Sequence, residues 1–381
     1  MKVFFKAQFF FFALLLISSC NRNAKKPQTE QPTTAQAIES IPFPIQRGVN
    51  ISHWLSQNDR KGPERAGFFT ERDVEFIASL GYDHIRLPVD EEHLWDEAGN
   101  KLPEGFQLMR NAITWCHIYK LRIIIDLHII RSHYFNSKSN TLWTDGAEHE
   151  HFIRMWLQIS DELKQYSTGM VAYELLNEAV AEDADDWNRL VADVIKALRA
   201  KEPNRKIIVG SNRWQSPDTF DQLVLPPGDK NIILSFHFYD PHIFTHYRAR
   251  WENTGRYTGP VHYPGGAIEP ADLKGWDTEM VNELKQYTRV YNRDTLLAMI
   301  QKPIRYAQQK GLPLYCGEFG CLPNAPRSER LQWYADVRYN FETNHIAWAN
   351  WDYKGGFAIF DFTTGQPDRE LINVLLGPLK E

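Results

Sequence analysis

Cysteine is scarce in this sequence, basic runs are missing, and beyond the first twenty residues no stretch is apolar enough to cross a bilayer. The 381 residues include 4 cysteines, one of them Cys20, so Cys116, Cys316 and Cys321 are all that follow the leader. Three cysteines make no disulfide framework, and no Cys-x-x-Cys spacing points to zinc. Cys316 and Cys321 flank Glu318 and could bridge in an oxidising compartment; free thiols are expected. A formal charge of −5 without a basic stretch excludes a nucleic-acid footprint. A hydrophobic share of 43% is ordinary for a globular chain and too low for a membrane bundle. No internal repeat is visible.

Aromatic residues are plentiful, with 12 Trp, 16 Tyr and 22 Phe. Flat apolar rings suit the C–H faces of sugars, although core packing and a Phe-rich leader account for most of them.

The N-terminus is organised for export. Lys2 and Lys6 precede an apolar run from Phe9 to Ile17, too short to span a bilayer as a mature helix. Ile17-Ser18-Ser19-Cys20 then resembles a lipobox, which predicts a lipoprotein signal peptide over 1–20 and lipidation of Cys20. The alternative is a plain secretory signal cleaved near Cys20. Residues 21–44, rich in Gln, Thr, Pro, Lys and Ala, read as a flexible linker reaching roughly 25–30 Å. The expected location is the bacterial cell envelope, as a lipoprotein of the outer membrane facing the periplasm or the outside.

From residue 45 to 381 short apolar runs alternate with amphipathic stretches. Strands are expected at Gln46–Ile51, His84–Leu87, Leu121–Leu127, Val171–Leu176, Lys206–Gly210, Asn231–Phe238, Leu314–Phe319 and Ile346–Trp351. Helices are expected at Thr70–Leu80 with Thr70 as N-cap, Phe106–Lys120, His151–Gln165 and Asp186–Lys201, with a weakly marked one near Ser216–Leu223. Eight strands, each followed by room for a helix, predict an α/β fold, a (β/α)₈ TIM barrel. Residues 240–294 read as a helical subdomain inserted after strand 6.

Active sites of such barrels sit at the C-terminal ends of the strands. Those positions hold Asn50 and His53, Arg86, His128, Asn177 and Glu178, Ser211 and Asn212, His237 and Tyr239, Glu318, and Trp351. Glu178 ends a buried strand, where an isolated carboxylate is costly, so it must be paired or catalytic. Glu174, on the same strand, reads as a structural carboxylate with an interior partner. Glu283, in the other Asn-Glu pair, reads as a solvated helix face. Glu318 lies between Gly317 and Gly320, expected to leave space for a ligand. Glycoside cleavage needs two carboxyl groups flanking the bond, and the ends of the fourth and seventh strands face each other across the bowl.

The stretches RGVNISHWLSQ from Arg47, HIRLPVD from His84, IDLH ending at His128, YELLNE ending at Glu178, FHFYDPHIFTH from Phe236, LYCGEFG from Leu314 and WANWDYKGGF from Trp348 occur in barrel order. Together they resemble glycoside hydrolase family 5, of the bacterial endoglucanase C type, from Arg47 to the C-terminus. The resemblance implies a retaining, endo-acting β-glycan hydrolase acting on β-1,4-glucan or mixed-linkage β-glucan; a monomer without cofactor or metal is expected. The alternatives are β-mannanase or another β-glycosidase of the family, or an inactive glycan-binding lipoprotein. It implies Glu318 as nucleophile and Glu178 as acid/base. Arg86 and Tyr239 would hold Glu318, Asn177 would bond the sugar 2-hydroxyl, His128 and His237 would line the cleavage subsite, and Trp351 would stack under that sugar. Asn50 and Trp54 are further candidates for substrate binding.

Two positions depart from the pattern. Ile129 stands where many relatives carry a second histidine, and His53 where close relatives carry a small residue, so the rim is expected to suit a different sugar. Trp54, Trp143, Trp214 and Trp251 are candidate subsite platforms, half of them expected to be packing. The spacing of His237, His242 and His246 raises a metal-dependent hydrolase as a rival, although the first strand lacks the His-x-His with which such barrels open.

Overall fold

The computed structural model describes residues 41–361 and 364–379. The signal peptide, Cys20 and residues 21–40 of the linker lie outside the described residues.

Eight strands close a parallel barrel in sequence order. They are β1 (Arg47–Asn50), β2 (His84–Val89), β3 (Arg122–Leu127), β4 (Val171–Glu174), β5 (Ile207–Gly210), β6 (Ile232–Phe238), β7 (Leu314–Phe319) and β8 (Ala347–Asn350). The expected strands agree with these within about two residues. Both faces of the barrel strands are buried, which is why they read as near-continuous apolar runs.

Helices cover the outside. Gly146–Leu163 buries Phe152, Met155, Trp156, Ile159 and Leu163, a spacing of three and four that makes one apolar face. Each such side chain contributes about 1.5–3 kcal/mol on leaving water. Thr70 caps Glu71–Ser79 through a capping box with Asp73, and Gly81 follows at φ 96°. The weakly marked fifth helix is a 3₁₀ segment, Pro217–Gln222.

The floor of the barrel is closed by Ile124, Ala172, Ile208, Ile233, Tyr315 and Ala349, and Phe43 packs into the same cluster. Phe43 was assigned to the linker by composition. One aromatic ring that plugs a barrel end is invisible to composition, so the barrel domain includes residues before 45.

The insertion is not the helical subdomain expected. It holds helices His242–Thr245 and Thr278–Leu284, 3₁₀ turns at Asn253–Arg256 and Pro270–Leu273, and an antiparallel pairing of Gly265–Gly266 with Val290–Tyr291. Gly259, Pro260, Pro264, Gly265, Gly266 and Gly275 lie between the short helical runs and keep them from joining. The segment is tied down by Tyr263, whose hydroxyl donates to Asp336 at 2.8 Å, and by Trp333 Nε1 donating to the carbonyl of Asp240 at 2.8 Å. Among the described residues no helix is long and apolar enough to cross a membrane.

Candidate active site

A cleft of about 680 Å³ opens at the C-terminal ends of the strands, with Glu178 and Glu318 in its wall. Two local distortions deliver these carboxyl groups. Along β7, Tyr315 packs into the barrel interior and Cys316 into the outer core, so strict alternation would send Glu318 outward. The register slips instead: Phe236 pairs with Cys316, yet His237 pairs with Glu318, and β8 shows the same shift. One extra residue at Gly317 forms a bulge that re-aims Glu318 into the bowl. Glu178 lies four residues past the end of β4 with φ 48°, a left-handed conformation uncommon for a side chain with a Cβ. Its amide donates to Gln215 Oε1 at 2.9 Å, which holds the turn.

Glu318 accepts at both oxygens: from Arg86 Nη1 at 2.6 Å and from the Tyr239 hydroxyl at 2.9 Å. Glu178 Oε1 lies 2.8 Å from His237 Nδ1. An oxygen of Glu178, an oxygen of Glu318 and a nitrogen of His237 all lie within 4.8 Å of one another.

These contacts split the electrostatics of the pair. Burial raises both carboxyls, and the charge of Glu318 raises Glu178 well above the carboxylate range. Arg86 and the Tyr239 hydroxyl oppose burial at Glu318 and favour its ionised form. Glu178 faces the neutral ring of His237 instead of a guanidinium, which favours the proton of the pair on Glu178. Burial also holds His237 well below its ordinary range, and His128 down to about 3, so both rings are neutral near pH 7.

Under the cleft floor, Arg86 is fully buried among carboxylates. Its Nε donates to Glu174 at 2.6 Å, and Nη2 lies 3.0 Å from Asp126. Nη1 also donates to Asn50 Oδ1, and Nη2 to Asn177 Oδ1, each at 2.9 Å. The Asn177 amide oxygen is thereby committed, which leaves its NH₂ for the cleft. Burial pushes Asp126 up to about 7 despite Arg86.

Among the residues expected to bind substrate, Asn177, His128, His237, Tyr239 and Trp351 line the cleft with the two glutamates. His128 stacks on Trp351, with centroids 5.6 Å apart and planes 8° apart. Arg86 and Asn50 do not line it. Asn50 is fully buried and its Nδ2 donates to the Gly317 carbonyl at 2.9 Å, so it braces the bulge. Trp54 is also fully buried, 4.9 Å from Phe69 and bonded through Nε1 to the Arg65 carbonyl; it is a packing residue, because the chain after β1 turns inward there. Trp143 packs on His133 and Trp187, whereas Trp214 and Trp251 are exposed on the cleft wall. Ser211 and Asn212 brace neighbouring loops. Ile129 is not among the cleft residues, but His53 is.

The glycines around Glu318 serve packing rather than ligand access. A Cβ at Gly317 would come within 3.0 Å of His237 and Ser235, and one at Gly320 would overlap the Trp351 carbonyl. His242 and His246 stack face to face with centroids 3.8 Å apart, so their nitrogens do not converge with His237 on one point. Cys316 and Cys321 are free and buried. Glu283 accepts from Asn253 on the surface of the insertion.

Residue-by-residue reading missed Gln215. Its side chain bonds the Glu178 amide, Glu174 and Ser235 at once. The available signal was Gly210, where any Cβ would overlap the Gln215 side chain.

A closed parallel barrel bearing two neighbouring carboxyl groups in a cleft walled by tryptophans defines a glycoside hydrolase. The chain belongs to the cellulase family, glycosyl hydrolase family 5, whose model matches residues 46–356. It is 32% identical over 338 residues to Endoglucanase C of Acetivibrio thermocellus, covering 86% of this chain and 97% of that one. It is 27% identical to Cellodextrinase A of Ruminococcus flavefaciens, over 80% of this chain and 84% of that one. Among solved structures, Thermotoga maritima Cel5A in complex with cellobiose superposes with a TM-score of 0.70 at 24% identity, covering 87% of this chain and 97% of that one.

Proposed function

We propose that the protein is a retaining endo-β-glucanase acting on β-1,4- or mixed-linkage glucan, with Glu318 as nucleophile and Glu178 as acid/base. The observation that carries this reading is the carboxyl separation. Retaining glycosidases hold their two groups about 5–5.5 Å apart and inverting ones about 6.5–9.5 Å; here an oxygen of each lies within 4.8 Å of the other. So close an approach is in keeping with the retaining spacing and supports direct attack by the carboxylate.

In the first step Glu318 attacks the anomeric carbon while Glu178 donates its proton to the departing glycosidic oxygen. Arg86 and Tyr239 keep the Glu318 oxygens aligned and ionised beforehand. In the second step Glu178, now a carboxylate, takes a proton from water, which attacks from the face the leaving group vacated. The Asn177 NH₂ meets the sugar 2-hydroxyl, a contact that strengthens as positive charge develops. His237 Nε2 is buried without a protein partner, and a sugar hydroxyl would satisfy it. The β4 and β7 ends divide the rim into two arcs. The arc through β8, β1, β2 and β3 carries Trp351, His128 and His53 and receives the sugar that is attacked. The arc through β5 and β6 carries Trp214 and Trp251 and receives the leaving chain.

The test is hydrolysis of a panel of β-1,4-glucan, mixed-linkage glucan, mannan and xylan, with the first-formed product anomer read by ¹H NMR. Mannan belongs in the panel because Thermotoga maritima Cel5A has also been crystallised with mannotriose. The expected result is cleavage of the glucans with the β-anomer formed first; the α-anomer would eliminate a nucleophilic Glu318. The proposal extends to envelope anchoring through a lipid on Cys20. Alkynyl-palmitate labelling in a bacterial host should mark the wild type and fail on Cys20→Ser, and equal labelling of both would refute the anchor.

A further inference from the structure

The residue after β1 that faces the cleft is held by a relay from across the seam between β1 and β8. His53 adopts φ 57°, a left-handed backbone unusual for a residue with a Cβ, and that turn directs its ring to the cleft. Arg60 Nη1 bonds the His53 carbonyl at 2.6 Å and secures the turn. His53 Nδ1 lies 2.7 Å from Ser52 Oγ, and Ser52 Oγ makes a short hydrogen bond to the buried carboxyl group of Asp352.

The tautomer follows from counting protons. Burial raises Asp352 to about 7, and in its ionised form above that pH it can only accept from Ser52. The single proton of Ser52 is therefore given to Asp352. Toward His53, Ser52 can only accept, and Nδ1 must carry the hydrogen. The ring is neutral near pH 7, because burial and Arg60 hold it down to about 4. Nε2 is then a bare lone pair on the cleft side. The relay is built in: a Cβ at Gly355 would overlap Asp352 Oδ2 and lie 2.7 Å from Ser52 Oγ. Only glycine leaves room for this pair beneath His53.

We infer that His53 is a specificity-determining residue whose Nε2 accepts a hydrogen bond from one hydroxyl of the sugar chain on the Trp351 side of the cleavage point. Ser52 and Asp352 are positioning residues that fix its tautomer. The inference rests on the retaining-glucanase reading and on its assignment of the two arcs.

The experiment uses 2,4-dinitrophenyl β-cellobioside, whose sugars occupy the His53 arc alone, and its singly deoxyfluorinated analogues. Fluorine cannot donate a hydrogen bond, so it removes the proposed contact while the sugar shape is kept. The His53→Gly variant deletes the ring and tolerates φ 57°; His53→Ala is the parallel variant. Comparison of each analogue between wild type and variant cancels the intrinsic effect of fluorine. The expected result is a penalty in kcat/KM of about 10-fold at one hydroxyl position in the wild type, absent from both His53 variants. Ser52→Ala should lose most of that penalty and Ser52→Thr, which keeps the hydroxyl, should restore it. A wild type that cleaves the parent substrate yet shows the same fluorine profile as His53→Gly at every position overturns the inference alone. A wild type that releases no dinitrophenol overturns the glucanase reading itself.

Discussion

Replacing Glu318 by alanine is expected to lower kcat on β-glucan by on the order of 10⁴-fold or more, the scale seen when one member of a cooperating catalytic set is deleted. The reason is geometric. In the proposed mechanism the carboxylate converts attack on the anomeric carbon into an intramolecular step. Loss of rate alone would not identify the role, because Glu178→Ala should also be slow. The rescue product does. Azide added to Glu318→Ala fills the space of the missing carboxylate and should yield the α-glycosyl azide from an activated aryl cellobioside. Azide added to Glu178→Ala should attack the glycosyl-enzyme from the opposite face and yield the β-azide. Interchanged products would exchange the two roles.

The same pair sets the pH profile. The proposed mechanism requires Glu318 ionised and Glu178 protonated, so the rate should fall as pH drops through the Glu318 titration and as it rises through that of Glu178. Burial and the neighbouring negative charge raise Glu178 well above the usual carboxylate range, which places the alkaline limb above that range too. Glu178→Gln assayed on an activated aryl glycoside, which needs no protonation to leave, should lose that limb for glycosylation. Retention of the limb would assign it to another group.

The second large effect is expected at Arg86. This guanidinium is fully buried and touches Glu174, Glu318 and Asp126. Arg86→Ala strands these carboxylates without a cation, which should destabilise the fold by about 3–5 kcal/mol and lower Tm by several degrees. Arg86→Lys separates charge from geometry. Lysine keeps the charge but is a compact point donor that cannot span Glu174, Asn50, Glu318 and Asn177 together. It should recover much of the stability measured by chemical denaturation while kcat stays down by on the order of 10²-fold. A lysine variant with wild-type kcat would show that Arg86 only neutralises charge and does not align the nucleophile.

His84, Arg86, Asp126, Glu174 and Gln215 show why a position list misses part of such a site. They are buried polar residues in or beside the barrel interior, and each is legible only through its partners. Arg86 was expected near Glu318, and the structure brings them to 2.6 Å. That one cation also serves Glu174 and Asp126 could not be read from spacing, since β2, β3 and β4 contribute from separate parts of the chain. Trp54 and Trp143 look like Trp214 and Trp251 in the sequence. Tertiary contacts separate them: Trp54 is fully buried and Trp143 packs on His133 and Trp187, whereas Trp214 and Trp251 are exposed on the cleft.

By itself the sequence determined the eight-strand rhythm, because strands buried on both faces must be apolar throughout and the turns between them must hold polar, Gly or Pro residues. It also determined which strand ends carry Glu178, Glu318, His128 and His237, since strand order in a parallel barrel follows chain order. Tertiary structure alone decided where those side chains aim. A period of two would point Glu318 at the helices, and only the bulge at Gly317, whose register is set by β6 and β8, turns it to face Glu178. The same holds for the left-handed turns at Glu178 and His53, which are maintained by Gln215 and by Arg60. These distortions depend on contacts between residues far apart in the chain, and no local pattern encodes such contacts.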